Sequence, residues 1–262
     1  MIGQIQGLVV PTITPKFDSS IDLQSLTNLL EFIIDGGVDS IFILGTTGEF
    51  QYLTLEEKRR IIEHASGCIR QRVPLLVGVS ALTSEETFTL VEFSEEYEAQ
   101  ALVLAPMFGW GKPSEQISEV IKTSSLPVLL YNNPAIHQGE SLPFLIVEEF
   151  ASCPEVAGIK DSSGDWGYFT KLLELQSPDF AVLQGREALI LSSLQAGAMG
   201  IVAAVAGVNP VPFKEILLHQ DQDAMDRIME IKAEINRFSD NYIYGVKQKL
   251  TLMNIIKEYA GW

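Results

Sequence analysis

Two cysteines and three histidines in 262 residues leave little material for a metal centre or a disulfide framework. Cys68 and Cys153 fall in separate helix-like or loop segments without metal-ligand spacing around them, and both read as reduced thiols. His64, His137 and His219 are scattered along the chain, so no metal is expected. Also lacking are a His-Glu-x-x-His helix, a Walker loop and a Gly-x-Ser-x-Gly elbow, which removes zinc peptidases, P-loop nucleotide hydrolases and α/β-hydrolases. Basic residues are short as well, since 18 Lys and Arg stand against 34 Asp and Glu for a net charge of -16. A field of that sign repels nucleic acid and anionic membrane, so neither is expected as a partner. Met1 to Gly7 has no charged region followed by a long apolar one, and no later apolar run has the length of a membrane span. A cytoplasmic protein is the expectation.

What the chain does have is hydrophobic content of 47% distributed in a regular alternation. Short apolar runs at 7–13, 40–44, 75–79, 101–105, 128–131, 156–160, 181–184 and 200–204 read as buried strands. Longer amphipathic stretches separate them, the pattern of repeated βα units on a parallel sheet. Several helix starts are marked: Asp22 before Leu23, Thr54 with Glu57 and Thr83 with Glu86 as capping boxes, and Ser114 after Pro113. The helix at 54–68 is expected to turn Leu55, Ile61, Ile62 and Ala65 inward and Glu56, Glu57, Lys58, Arg59 and Arg60 outward. Eight such units favour closure into a (β/α)8 TIM barrel over an open sheet, with the barrel core at 1–208. After it, 209–219 and 221–258 read as consecutive helices, with Ile228, Ile231 and Ile235, then Leu250, Met253, Ile256 and Tyr259, at helical spacing. Residues 209–262 are therefore expected to supply the last barrel helix and a short C-terminal helical extension.

In a parallel barrel the active site is built where the strands end. The sixth strand ends on Lys160, inside Val156-Ala157-Gly158-Ile159-Lys160-Asp161. Apolar walls disfavour the charged form of a lysine and so make its free amine available to attack a ketone. The plainer alternative is a strand-end lysine that pairs with Asp161 or Asp165. The second strand runs into Gly45-Thr46-Thr47-Gly48-Glu49, where glycines permit close backbone approach and threonine hydroxyl and N–H groups suit a carboxylate. A tight strand-to-helix turn needs the same residues. The fifth strand ends at Tyr131-Asn132-Asn133-Pro134, placing the Tyr131 hydroxyl beside Lys160 as a proton relay, or merely as an aromatic at the rim. Gly185 follows the seventh strand, and His137 follows the fifth and is a candidate for the pocket.

These segments resemble, in order and in separation, the three signatures of the pyruvate-dependent class I aldolases, the family of dihydrodipicolinate synthase, N-acetylneuraminate lyase and 2-keto-3-deoxygluconate aldolase. The resemblance covers nearly the whole chain. It implies a Schiff-base lyase without a cofactor, acting on pyruvate with a small aldehyde or on a 2-keto acid, and assembled as a homodimer or homotetramer. It further implies that Lys160 forms the Schiff base, Tyr131 relays protons, Thr46 and Thr47 bind the pyruvate carboxylate and Val202 touches bound pyruvate through its backbone.

Two departures bear on the substrate. Dihydrodipicolinate synthases usually carry a second tyrosine after strand four, where this chain has Pro106-Met107-Phe108-Gly109-Trp110, and an arginine after Tyr-Asn-x-Pro, where it has Ala135-Ile136-His137-Gln138-Gly139. Phe108 relays no proton, and neither Ile136 nor His137 imitates a guanidinium fork. The helical tail, which stops at Trp262, is also shorter than the family's usual one. A 2-keto-3-deoxy sugar acid is accordingly the expected substrate. 4-Hydroxy-tetrahydrodipicolinate synthesis and an inactive keto-acid-binding barrel stand as alternatives, while a pyridoxal phosphate enzyme is disfavoured by the want of a phosphate cup.

Overall fold

A computed structural model describes residues 5–18, 20–107 and 109–257. Eight parallel strands close into a barrel: β1 (Gly7–Pro11), β4 (Ser40–Ile43), β5 (Leu75–Gly78), β6 (Ala101–Leu104), β7 (Val128–Asn132), β8 (Val156–Asp161), β9 (Ala181–Gln184) and β10 (Gly200–Val202). The order around the wall follows the chain, and β1 closes it by pairing β10 on one side and β4 on the other. Each expected strand is present, displaced by at most two residues at its end. A small antiparallel hairpin, β2 (Lys16–Phe17) with β3 (Ser20–Ile21), lies between β1 and the first helix. Strands of two residues carry no readable period, which is why the sequence did not reveal it.

Apolar runs without polar alternation are what a two-sided wall requires. One face of each strand points into the barrel, where Val9, Phe42, Leu76, Val103, Leu129 and Leu183 pack together. The other face meets the helices through Leu8, Ile41, Val77, Leu102, Leu130 and Ile159. At about 1.5–3 kcal/mol for each fully buried large apolar side chain, these two shells are the main force closing the wall.

The surrounding helices are α1 (Leu23–Asp35), α2 (Leu55–Ile69), α3 (Ser84–Glu96), α4 (Pro113–Thr123), α5 (Phe144–Phe150), α6 (Trp166–Leu173), α7 (Ile190–Gln195) and α8 (Val211–His219). Asp22 caps α1, and Thr54 and Glu57 close a reciprocal capping box on α2. The other start signals need correction. Thr83 caps α3, but the Glu86 carboxylate turns away to meet Lys58 Nζ at 2.5 Å, and that is why no box closes there. Helix α4 is capped at Lys112 rather than Ser114, because Pro113 occupies the first helical position and the Glu115 carboxylate accepts the Lys112 N–H at 2.7 Å. Lys58 was expected outward and is buried instead, held by Glu86 and lying 5.8 Å from the Phe50 ring centroid.

After α8, the stretch read as helical from 221 to 258 holds α9 (Gln222–Asn236) and α10 (Tyr242–Leu252), with Asn241 capping the second. Ile228 and Ile235 are buried on α9 and Leu250 on α10; Tyr259 falls outside the described residues. Helix α9 rests on the 3-10 turns that follow β9 and β10, which brings this pair of helices over the carboxyl end of the barrel. No helix among the described residues is long and apolar enough to cross a membrane.

Candidate active site

The carboxyl ends of the strands surround a cavity of about 370 Å³ whose lining includes Thr46, Thr47, Tyr131, Lys160, Gly185 and Val202. Strands β7 and β8 set its centre. Their register pairs Tyr131 with Lys160 and Asn132 with Asp161, so Tyr131 and Lys160 project from adjacent strands at one level. Lys160 is buried, with its Nζ 3.9 Å from the Tyr131 ring centroid and 5.3 Å from that of Phe42. It forms no ion pair with Asp161 or Asp165. Asp161 accepts from Asn132 Nδ2 at 2.6 Å and from Ser163 Oγ at 2.9 Å, while Asp165 caps α6. Burial raises the Asp161 carboxyl above the ordinary range despite these hydrogen bonds.

Tyr131 is also buried, and burial, the largest influence on its phenol, pushes the pKa up. The Lys160 charge and hydrogen bonds with Thr46, Lys160 and Ser162 together outweigh it, leaving the hydroxyl below the ordinary tyrosine value. Asn133 Nδ2 donates to the same hydroxyl at 2.9 Å. The arrangement brings an amine, a phenol held below its ordinary pKa, and the Thr46 and Ser162 hydroxyls into one hydrogen-bonded group.

The Gly45–Glu49 loop stands opposite. Thr46–Gly48 form a 3-10 turn whose first bond is Gly48 N–H to Gly45 O at 3.0 Å, so the N–H groups of Thr46 and Thr47 take no acceptor within it. Gly45 and Gly48 stand behind the two threonines rather than on the cavity lining. A Cβ on Gly45 would come within 2.7 Å of the Phe42 ring, and the Gly48 carbonyl accepts from Thr14 Oγ1 at 2.7 Å. Glu49, next along, is tied to the wholly buried Lys247 of α10. Gly185 keeps the floor narrow, since a Cβ there would fall 2.2 Å from Ser162 Oγ and 3.1 Å from Lys160 Cε. Only glycine lets β9 end this close to the lysine.

His137 does not reach the cavity lining. It is buried behind the turn after β7, its Nε2 without a hydrogen-bond partner among the described residues, and burial lowers its pKa. The cavity lining instead includes residues that sequence reasoning passed over: Arg186, Glu187, Lys232, Asn236 and Tyr242. Arg186 follows directly on Gly185, so its position at a strand end was the available signal. Lys232, Asn236 and Tyr242 come from α9 and α10, and nothing local marks a helical residue as facing a distant strand end. An arginine was held to be missing from this chain's site on the sequence after Tyr131; the cavity has one from β9. Phe108 lies outside the described residues. Among those residues no group of three His, Cys, Asp or Glu stands together.

Comparison with known proteins adds a lineage to this geometry. A model of the dihydrodipicolinate synthetase family matches residues 4–261. The 4-hydroxy-tetrahydrodipicolinate synthase of Sulfurihydrogenibium sp. is 33% identical over 210 residues, covering 78% of this chain and 71% of the relative. Among solved structures, dihydrodipicolinate synthase from Bacteroides thetaiotaomicron superposes with a TM-score of 0.92 at 27% identity, covering 100% of this chain and 94% of that one. The 2-keto 3-deoxygluconate aldolase of Picrophilus torridus superposes with a TM-score of 0.82 at 25% identity, covering 94% and 93%.

Proposed function

The chain belongs to the dihydrodipicolinate synthetase family, and from that premise we propose that it is a class I carbon–carbon lyase holding pyruvate as a Schiff base on Lys160. The observation that carries this reading is the buried Lys160 in register with Tyr131, in a cavity also lined by Thr46 and Thr47.

The Lys160 amine adds to the C2 ketone of pyruvate, and the C2 oxygen leaves as water once protonated, giving an iminium. Loss of a C3 proton yields the enamine. Its C3 electron pair attacks the carbon of an aldehyde, whose oxygen takes up a proton, and water then adds at C2 to restore ketone and amine. In the cleavage direction the 4-hydroxyl of a 2-keto-3-deoxy acid gives up its proton, the C3–C4 bond breaks, and the electrons pass to the iminium. Tyr131 carries the protons at both stages, with Asn133 fixing its hydroxyl. Thr46 and Thr47 hold the pyruvate carboxylate, the narrow floor at Gly185 and Val202 confines its C2, and Gly45 and Gly48 shape the loop from behind.

Two partner aldehydes suit this centre. Asn236 on the cavity lining offers neutral hydrogen bonds to the hydroxyls of a sugar-derived aldehyde, and the Tyr242 hydroxyl, which donates to Glu187, is still able to accept one, as a 2-keto-3-deoxy acid lyase requires. Arg186 on the same lining favours aspartate semialdehyde and so 4-hydroxy-tetrahydrodipicolinate synthesis. A cytoplasmic setting accords with the unpaired Cys68 and Cys153, and a homodimer or homotetramer with the family resemblance; light scattering of the purified chain tests the assembly.

Borohydride reduction in the presence of pyruvate, followed by peptide mass mapping, tests the central step. The expected product is a reduced pyruvate adduct on the peptide containing Lys160. No adduct, or an adduct on another lysine, refutes the assignment, and an adduct without turnover of any aldehyde or 2-keto acid leaves a keto-acid-binding barrel.

A further inference from the structure

Arg186 is held at two points and left open at a third. Its backbone N–H donates to Gln184 Oε1 at 2.9 Å, and Gln184 is itself buried and donates from Nε2 to Ser193 Oγ at 2.8 Å. Its Nε donates to the Ser162 carbonyl at 2.7 Å, two residues beyond Lys160. The two terminal nitrogens of the guanidinium have no hydrogen bond or ion pair among the described residues, although the side chain lines the cavity and is exposed to solvent there. The other charges nearby are spoken for: buried Glu187 accepts from Lys232 Nζ at 3.1 Å and from the Tyr242 hydroxyl at 3.0 Å. In a chain of net charge -16, the lining thus keeps one guanidinium fork fixed in direction beside Lys160, influenced by the nearby Asp161 carboxyl but in ion-pair contact with no carboxylate among the described residues.

We propose that Arg186 determines specificity by binding a second anionic group, a carboxylate or a phosphate, at the far end of the aldehyde that pyruvate joins or is released from. The proposal rests on the Schiff-base reading above. A planar fork already anchored through Nε loses little rotamer freedom on binding, and its paired terminal N–H groups match two oxygens of an oxyanion. The anion-binding position expected after Tyr131 is not needed, since the cation arrives from the next strand but one.

The experiment compares kcat/KM for condensation of pyruvate with three aldehydes: aspartate semialdehyde, glyceraldehyde 3-phosphate and glyceraldehyde. The expected result is a preference of about tenfold to a hundredfold for one of the two anionic aldehydes over glyceraldehyde, the span given by a charge-assisted hydrogen bond. Which one leads separates carboxylate from phosphate. Arg186→Gln should bring that preference close to one, and Arg186→Lys should restore part of it. Borohydride trapping of pyruvate on the unaltered protein is run alongside. Without trapping, the Schiff-base reading itself fails. With trapping, a preference for glyceraldehyde, or an anionic preference that Arg186→Gln does not change, overturns the role of Arg186.

Discussion

The barrel has two ends made by the same strands, and they differ in room and in charge in opposite senses. Beneath the entries of β7, β8 and β9 lies a hollow of about 850 Å³ lined by Ser124, Pro127, Cys153, Pro154, Glu155 and Asp179 among others, with no Lys or Arg on it among the described residues. The carboxyl end encloses about 370 Å³ and carries Lys160, Arg186 and Lys232. The larger space lies among the loops that enter the sheet, whereas the smaller one is where adjacent strands in register bring Tyr131 and Lys160 to one level. Under the proposed Schiff-base chemistry, strand direction rather than volume locates the site.

The largest test of that contrast is a pair of substitutions. Lys160→Ala should abolish both turnover and borohydride trapping while the far-ultraviolet circular dichroism stays that of a barrel, and Cys153→Ser at the wide end should leave turnover as it was. Turnover lost in Cys153→Ser would give the amino end a part in the reaction. Next in size, Tyr131→Phe should slow kcat by roughly a hundredfold or more, the usual effect of losing a positioned acid–base group, while slow trapping remains detectable. Unchanged kcat would reduce Tyr131 to a rim aromatic.

A third test concerns what holds the carboxyl end in shape. Removing one partner of the Lys247–Glu49 pair in Lys247→Met should cost on the order of 3 kcal/mol in a denaturant titration, and adding Glu49→Gln should return part of it. Equal stability in single and double variants would show that the two residues do not act together. The smallest effect belongs to His137. Burial depresses its folded-state pKa below the ordinary value of about 6.5, so below that pH the unfolded chain binds more protons than the folded one. Its contribution to stability is complete above pH of about 6.5 and is lost as pH falls toward the depressed value, by at most about 1.4 kcal/mol per pH unit. Thermal midpoints between pH 7.5 and 5.5 should fall less in His137→Gln than in the parent; parallel curves would contradict this.

Strands were the most readable part of the chain because burial on both faces writes them as uninterrupted apolar runs; β9 is found at 181–184 as expected, and β7 extends one residue further, to Asn132. Helix starts were readable where the cap is local, as at Asp22 and Thr54, and misread where a side chain has a distant suitor, as when Glu86 leaves its own helix end for Lys58. That pairing also explains why a helical wheel turned Lys58 outward, since the pattern has no knowledge of a partner 28 residues away. At the site, Lys160, Tyr131 and the Thr46-Thr47 loop announce themselves by ending strands. The outer lining does not, because Glu187 and Lys232 meet across 45 residues and only the packing of α9 on the 3-10 turn after β9 brings them together.

That packing also separates two histories within one cavity. Translation releases β4, β7 and β8, with Thr46, Tyr131 and Lys160, well before Lys232, Asn236 and Tyr242 leave the ribosome. The emerging chain thus carries the Lys160 amine and the Tyr131 hydroxyl while the outer lining is still being made. For the same reason a change in α9 or α10 alters the outer lining without touching a strand of the wall that carries Lys160 and Tyr131.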